Sequence, residues 1–303
     1  MSSLKRIGQI MRDDFAVFIL SHGRPNNVRT YNQLRVQGYT GQIHIILDDL
    51  DETVEEYKRN YPGEIIVFDK RAAAEKTDAC DNLDEMRAVV FARNETFRIA
   101  EELGLRFFLV LDDDYNLFHF RFNDKFEWTT RDITSKNLNR VFAAFIEFLE
   151  HTPTTTITMA QGGDFLGGKN GSNPNCKKVH LMRKAMNSFF CDTTRPFKYM
   201  GRINEDVNAY ASLGAIGKLF FMANQISLNQ AQTQQNESGL TDIYLSLGTY
   251  VKSFYTVIVH PSGACVRMLQ SRSNPRIHHQ INWSRTAPKI IRQELRKTEM
   301  EDA

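Results

Sequence analysis

Cysteine is scarce and scattered: Cys80, Cys176, Cys191 and Cys265 lie far apart, with no C-x-x-C pair among them. Such spacing frames neither a zinc site nor a disulfide scaffold, and it predicts a protein of the reducing cytoplasm. Long apolar runs are missing as well. No stretch approaches the roughly 18 residues that span a bilayer, and the opening MSSLKRIGQIMRDDF lacks the apolar core of a signal peptide. The expectation is a cytoplasmic protein with no membrane partner. Charge of one sign is equally thin. Lys+Arg total 38 against 36 Asp+Glu, a formal net charge of +2, too small a surplus to mark a nucleic-acid binder by charge alone. No Pro/Gly/Ser-rich linker divides the chain, and no repeat of about 20 to 50 residues stands out. What is present is ordinary globular material, 42% hydrophobic and 24% charged over 303 residues, enough for one full core. A single domain over 1–303 is expected.

The apolar residues are arranged as strands alternating with helices. FAVFIL (15–20), IHIIL (43–47), residues 65–68 and FFLVL (107–111) read as buried strands. Between them, helices are expected over about 27–37, stopped by Gly38, over 53–61, closed by Pro62, and over 86–103, capped by Gly104. Further on, 138–150 reads as an amphipathic helix, 154–160 as a strand, Phe189-Phe190 as a buried piece, 205–213 as a helix and 218–222 as a strand. A loop is expected over 169–178, after the glycine-rich stretch 161–168. Strands that are apolar throughout imply a mostly parallel sheet covered on both faces. Ligands of such sheets gather beyond the carboxyl ends of the strands. Ser21, His22 and Arg24, then Asp48-Asp49, then Asp112, Asp113 and Asp114 therefore converge on one rim although they lie far apart in sequence.

Three neighbouring carboxylates at the end of a buried strand cannot all be ionised without compensation, because like charges raise one another's pKa. A divalent cation resolves the conflict. Magnesium and manganese favour one or two carboxylates combined with phosphate oxygens, as a nucleotide diphosphate supplies. In an extended segment Asp112 and Asp114 share one face and Asp113 takes the other. The competing readings are a solvated acidic turn for the aspartate run and an N-cap or surface turn for Asp48-Asp49. Arg24 and Arg93 each offer a fork-shaped guanidinium to a phosphate, with a structural ion pair as the alternative for Arg93.

The segments FILSHGRPNNV, VLDDDY, MAQGGDFLGG, KAMNSFFC, GRINEDVN, GTYVKSFY and RIHHQINW, spread in this order from about Phe15 to Lys289, resemble the TET-associated glycosyltransferase family. This is a bacteriophage family of the GT-A class associated with glycosylation of hydroxymethylated pyrimidines in DNA. The resemblance implies a GT-A-like nucleotide-sugar-binding α/β fold whose mostly parallel central sheet is flanked by helices. Residues from about 14 to 115 would form the nucleotide-binding half, and those from about 116 to 290 the acceptor half with a C-terminal metal- and DNA-binding segment. It also implies a UDP-sugar donor, a divalent cation (Mn2+ or Mg2+) and a DNA acceptor containing a hydroxymethylated pyrimidine, 5-hydroxymethylcytosine foremost.

Residue by residue, the resemblance assigns Asp112, Asp113 and Asp114 to ribose and metal, with Asp114 the direct ligand, and Asp48 to uracil or ribose. Glu205-Asp206 resembles the acidic pair at the start of a helix in inverting GT-A enzymes, with Asp206 as general base and Glu205 on the sugar. The plain alternative is acidic enrichment of a first helical turn, which the helix dipole favours. His278 or His279 matches the late histidine that GT-A enzymes use as a further metal ligand, against a structural histidine bonded to backbone. Late basic residues such as Lys184, Arg267 and Arg285, interleaved with aromatics, suit a DNA backbone or, equally, a solvated face. Two other functions fit the residues: a GT-A enzyme acting on a protein or glycan, and a non-catalytic nucleic-acid-binding module whose aspartates are structural.

Overall fold

The computed structural model describes residues 11–83, 85–125, 127–161, 179–230, 251–269 and 276–290. The first part is a run of strand and helix units: β1 (Phe15–Leu20), α1 (Arg29–Val36), β2 (Gln42–Asp48), α2 (Val54–Asn60), β3 (Ile65–Phe68), α3 (Lys70–Glu75), α4 (Val89–Glu102) and β4 (Phe107–Asp112). Every residue of β1 is buried, and so is β4 up to Leu111. Helices cover both faces, so neither strand shows an alternation of polar and apolar residues. β1 pairs in parallel with β2 and β4, and β2 with β3, giving the order β3-β2-β1-β4. In this register Leu20 lies beside Asp112. The chain leaving β1 and the acidic turn after β4 thus emerge side by side.

The second part holds β5 (Tyr115–Phe122), β6 (Trp128–Thr134), α5 (Leu138–His151), β7 (Thr156–Gln161), β8 (Val179–His180), β9 (Ser188–Asp192), α6 (Glu205–Ala215) and β10 (Phe220–Gln230). A helix over 251–259, α7, precedes β11 (Ala264–Leu269), β12 (Arg276–Ile281) and α8 (Trp283–Thr286). The sheet continues β4-β9-β7-β10-β5-β6, with β8 also on β10. The α/β class read from the sequence is borne out. Parallel pairing belongs mainly to the first half; beyond β4 only β7 and β10 run in parallel among the described strands. The reason is connectivity: β5 and β6 follow one another across a short link, and such neighbours pair antiparallel. β11 and β12 form a separate antiparallel hairpin.

The core lies in two layers, one on each face of the sheet. Phe15, Val17, Ile19, Leu109 and Phe190 pack with Phe142, Phe145 and Leu149 of α5. On the other side Ala16, Phe18, Phe108, Val110 and Phe189 pack with Val90, Phe91 and Phe97 of α4. Phe190 stacks on Phe145 with ring centroids 4.6 Å apart, while its neighbour Phe189 meets Tyr199 edge-on at 5.2 Å. Gly38 stops α1 at φ +85°, where a Cβ would lie 2.8 Å from the Lys136 carbonyl oxygen. Among the described residues no helix is long and apolar enough to cross a membrane. The glycine-rich residues 162–168 and the expected loop 169–178 lie outside the described residues.

Candidate active site

The acidic turn is held from behind by α1. The Thr30 hydroxyl donates to the Asp112 carbonyl oxygen at 2.6 Å and accepts from the Tyr115 amide at 3.0 Å, and the Thr30 amide donates to the Asp113 carbonyl oxygen at 3.1 Å. The three side chains then part. Asp113 is buried, accepting from the Ser21 hydroxyl at 2.5 Å and pairing with Arg24 at 3.1 Å. Tyr57 extends this chain, with its hydroxyl 2.7 Å from that of Ser21 and accepting from the Arg24 amide at 2.9 Å. Burial nonetheless holds the Asp113 carboxyl above its ordinary value. Asp112 and Asp114 stay partly exposed. Asp112 accepts from Arg93 at 3.3 Å and from the Tyr115 hydroxyl at 3.2 Å. Among the described residues Asp114 accepts from the Gln230 amide alone, at 3.2 and 3.3 Å. Its carboxyl is pushed up to about 6 by burial and by the charges of Asp112 and Asp113.

A second acidic pair opens α6. Asn204, in the left-handed region at φ 56°, reverses the chain there, and its side-chain amide donates to the Lys252 carbonyl oxygen at 2.8 Å, fixing the helix start to α7. Glu205 and Asp206 are both buried. Burial drives the Glu205 carboxyl up to about 7 despite Arg93, and it raises that of Asp206 too. Arg93 joins the two stations: Nη2 lies 3.3 Å from Asp112 Oδ1 and Nη1 lies 3.2 Å from Glu205 Oε1. It is 3% exposed and sits over the rings of Phe189 and Tyr199, at 5.4 and 5.8 Å. The structure thus places Arg93 between carboxylates, the ion-pair alternative for this residue.

Along the rim, His22 Nδ1 lies 2.9 Å from Asp48 Oδ2, which Lys70 also approaches at 3.2 Å. Burial opposes the charge on Asp48, yet His22 and Lys70 hold its carboxyl below the usual range, and Asp48 raises His22 in turn. Asp51 accepts from the Gly23 amide at 2.8 Å and shapes the turn after β1. Ser21, His22, Arg24, Asp48 and the aspartate run therefore do share one rim, as the strand ends require. His278 and His279 lie on β12. His278 Nδ1 lies 2.6 Å from the His279 carbonyl oxygen, and the His279 ring, lowered to about 3 chiefly by burial, feels the charges of His278, Lys252 and Lys184. Among the described residues neither histidine bonds to the aspartates.

Among the described residues no three His, Cys, Asp or Glu side chains gather into a metal-holding group. Asp112 and Asp114 suit a cation that completes its shell with phosphate oxygens and water, since Asp114 carries an under-compensated carboxylate. Thr30, Tyr57, Lys70, Tyr115 and Gln230 were not legible as site residues. Only Lys70 carries a charge, and each reaches the rim through tertiary packing.

Arg93 thus ties the carboxylates at the ends of the parallel strands to a buried acidic pair at the start of a later helix. The chain belongs to the TET-associated glycosyltransferase family, whose model matches residues 15–239. Solved structures similar to it include glucosyl-3-phosphoglycerate synthase from Mycobacterium tuberculosis in complex with Mg2+ and uridine-diphosphate, at 9% identity and TM-score 0.43, covering 88% of this chain and 87% of that one. Another is S. aureus TarS 1-349, at 14% identity and TM-score 0.40, covering 70% of this chain. The chain spans 59% of the length of that TarS structure. No curated protein matches the chain in sequence.

Proposed function

We propose that the protein transfers a sugar from a UDP-sugar to the hydroxymethyl group of a 5-hydroxymethylpyrimidine in DNA, 5-hydroxymethylcytosine foremost, with the help of Mn2+ or Mg2+. The observation that carries this reading is the pairing of two differently tuned acidic stations. Asp112 and Asp114 sit at and just beyond the end of β4 with one carboxyl near 6, and Glu205 and Asp206 lie buried across Arg93 with raised carboxyls. The first station suits a cation and a diphosphate. The second suits proton abstraction, because a carboxyl raised toward neutrality is a stronger base than an ordinary one.

In this reading Asp112 and Asp114 hold the cation, and Ser21, Arg24 and Asp48 line the nucleoside side. A bound cation would neutralise charge on the departing diphosphate. Asp206 takes the proton of the attacking hydroxyl, and Glu205 orients the sugar. A single displacement with inversion follows. The acceptor comes from the family, and the late basic residues suit a phosphate backbone. Hydroxymethylated DNA incubated with the protein, Mn2+ and a panel of UDP-sugars should gain one hexose or pentose mass per modified base in mass spectrometry. UDP-sugar turnover without any gain on DNA would send the acceptor assignment to a protein or glycan. Absence of turnover with every donor would end the reading.

A further inference from the structure

Among the described residues, Arg93 is the side chain that pairs with both acidic stations. It reaches Asp112 from α4 with one nitrogen and Glu205 at the start of α6 with another. Its guanidinium carbon lies over the rings of Phe189 and Tyr199, which meet edge-on beneath it. Both carboxylates draw on its charge, which stays firmly in place: Glu205 and Asp112 hold the guanidinium above its ordinary pKa against the cost of burial. Yet the hydrogen bonding is incomplete. Among the described residues, Nε and Nη1 are buried without a hydrogen-bond partner, the contact to Glu205 being close but not aligned. A buried arginine kept only for stability would be expected to spend its donors fully, because an unmet buried donor costs free energy. Spare donors beside the partly exposed carboxylate of Asp112 fit a group whose geometry tightens when ligand arrives.

We propose that Arg93 is a positioning residue that couples the donor side of the site to the acceptor side, orienting Asp112 toward the cation and Glu205 toward the sugar at once. The idea deepens the functional reading above and rests on it. Arg93 touches neither donor nor acceptor and acts through the two carboxylates. It is therefore a different role from a phosphate clamp, which needs an exposed guanidinium, whereas Arg93 is buried.

The test uses the full chain carrying Arg93→Met and, separately, Arg93→Lys. UDP binding with and without Mn2+ is measured by calorimetry, alongside kcat and KM for hydrolysis of the UDP-sugar by water and for transfer to DNA. Replacing a group that orients a metal ligand weakens metal binding or activity by about 10- to 100-fold, so Arg93→Met should weaken Mn2+-dependent UDP binding and lower kcat on that scale. Its KM for DNA should stay unchanged. Arg93→Lys keeps the charge and the stem but cannot span both carboxylates; it should lose more in kcat than in UDP binding, and it serves if Arg93→Met does not fold. Unchanged or tighter UDP binding in a folded Arg93→Met, or an Arg93→Lys enzyme equal to the parent, overturns the proposal. A parent that binds UDP and hydrolyses the donor yet leaves DNA unmodified refutes the acceptor alone, since the donor readouts still judge Arg93. A parent that binds no UDP with any cation refutes both.

Discussion

At Asp114 a proton and a cation compete for the same oxygens. Its carboxyl stands near 6 rather than the ordinary 3.8, so below that pH the neutral acid has to give up its proton before it can hold a metal. Apparent Mn2+ affinity should therefore fall by about tenfold for each pH unit below 6, read by calorimetry in the presence of UDP. For stability the sign runs the other way. The folded chain keeps a proton that the unfolded chain releases, so this group's contribution is fully present below about 4 and is lost as pH rises through about 6. Mn2+ with UDP should consequently raise the melting temperature more at pH 7.5 than at pH 5.5, and Asp114→Asn should remove most of that difference. The acceptor side is separable from this. Asp206→Asn should leave UDP binding intact and lower transfer by about 100-fold or more, the usual scale of a general base; a fully active variant would place the base elsewhere.

The acidic turn depends on α1 as much as on β4. Thr30→Val keeps the shape of the side chain but removes the hydroxyl that ties the Asp112 carbonyl oxygen to the Tyr115 amide. We expect a loss of about 1–3 kcal/mol in urea unfolding, with weaker Mn2+ binding as the turn loosens. At this scale the sequence was readable in proportion to burial on both faces. β1 and β3 fall where the apolar runs put them, and β2 and β4 extend them by one or two residues. β5, β6 and β11 gave no such signal, because polar residues such as Asn116, His119 and Arg121, or Arg267, interrupt them. β10 was read as 218–222 but runs on through Asn224, Gln225 and Asn229 to Gln230. The rim residues were legible for the same reason as the strands: Ser21, Asp48 and Asp112 lie at strand ends, which a run of apolar residues locates. The partner that completes Asp114, Gln230, comes from 116 positions away in the chain, and no local pattern announces it.

For the whole molecule, one sheet crossing from β3 to β6 argues against two independently folding halves. The parallel and mixed parts meet at β4 and β9, where Phe107 to Leu111 pair with Asp192 to Ser188, deep in both core layers. Equilibrium unfolding in urea should therefore be a single transition, with far-UV dichroism and tryptophan fluorescence coincident. Two resolved transitions would mean that the nucleotide and acceptor parts fold separately. Phe190→Ala, removing a ring wholly buried against α5, should lower the unfolding free energy by about 3–5 kcal/mol and move that midpoint to lower urea.

Phe189 and Phe190 also limit how the chain can change length. Because adjacent residues of β9 supply opposite core layers, inserting or deleting one residue within it would send each later side chain to the wrong side of the sheet. Natural variation in length must then fall in the connections, leaving the strand that sets Phe189 against Arg93 as a fixed ruler.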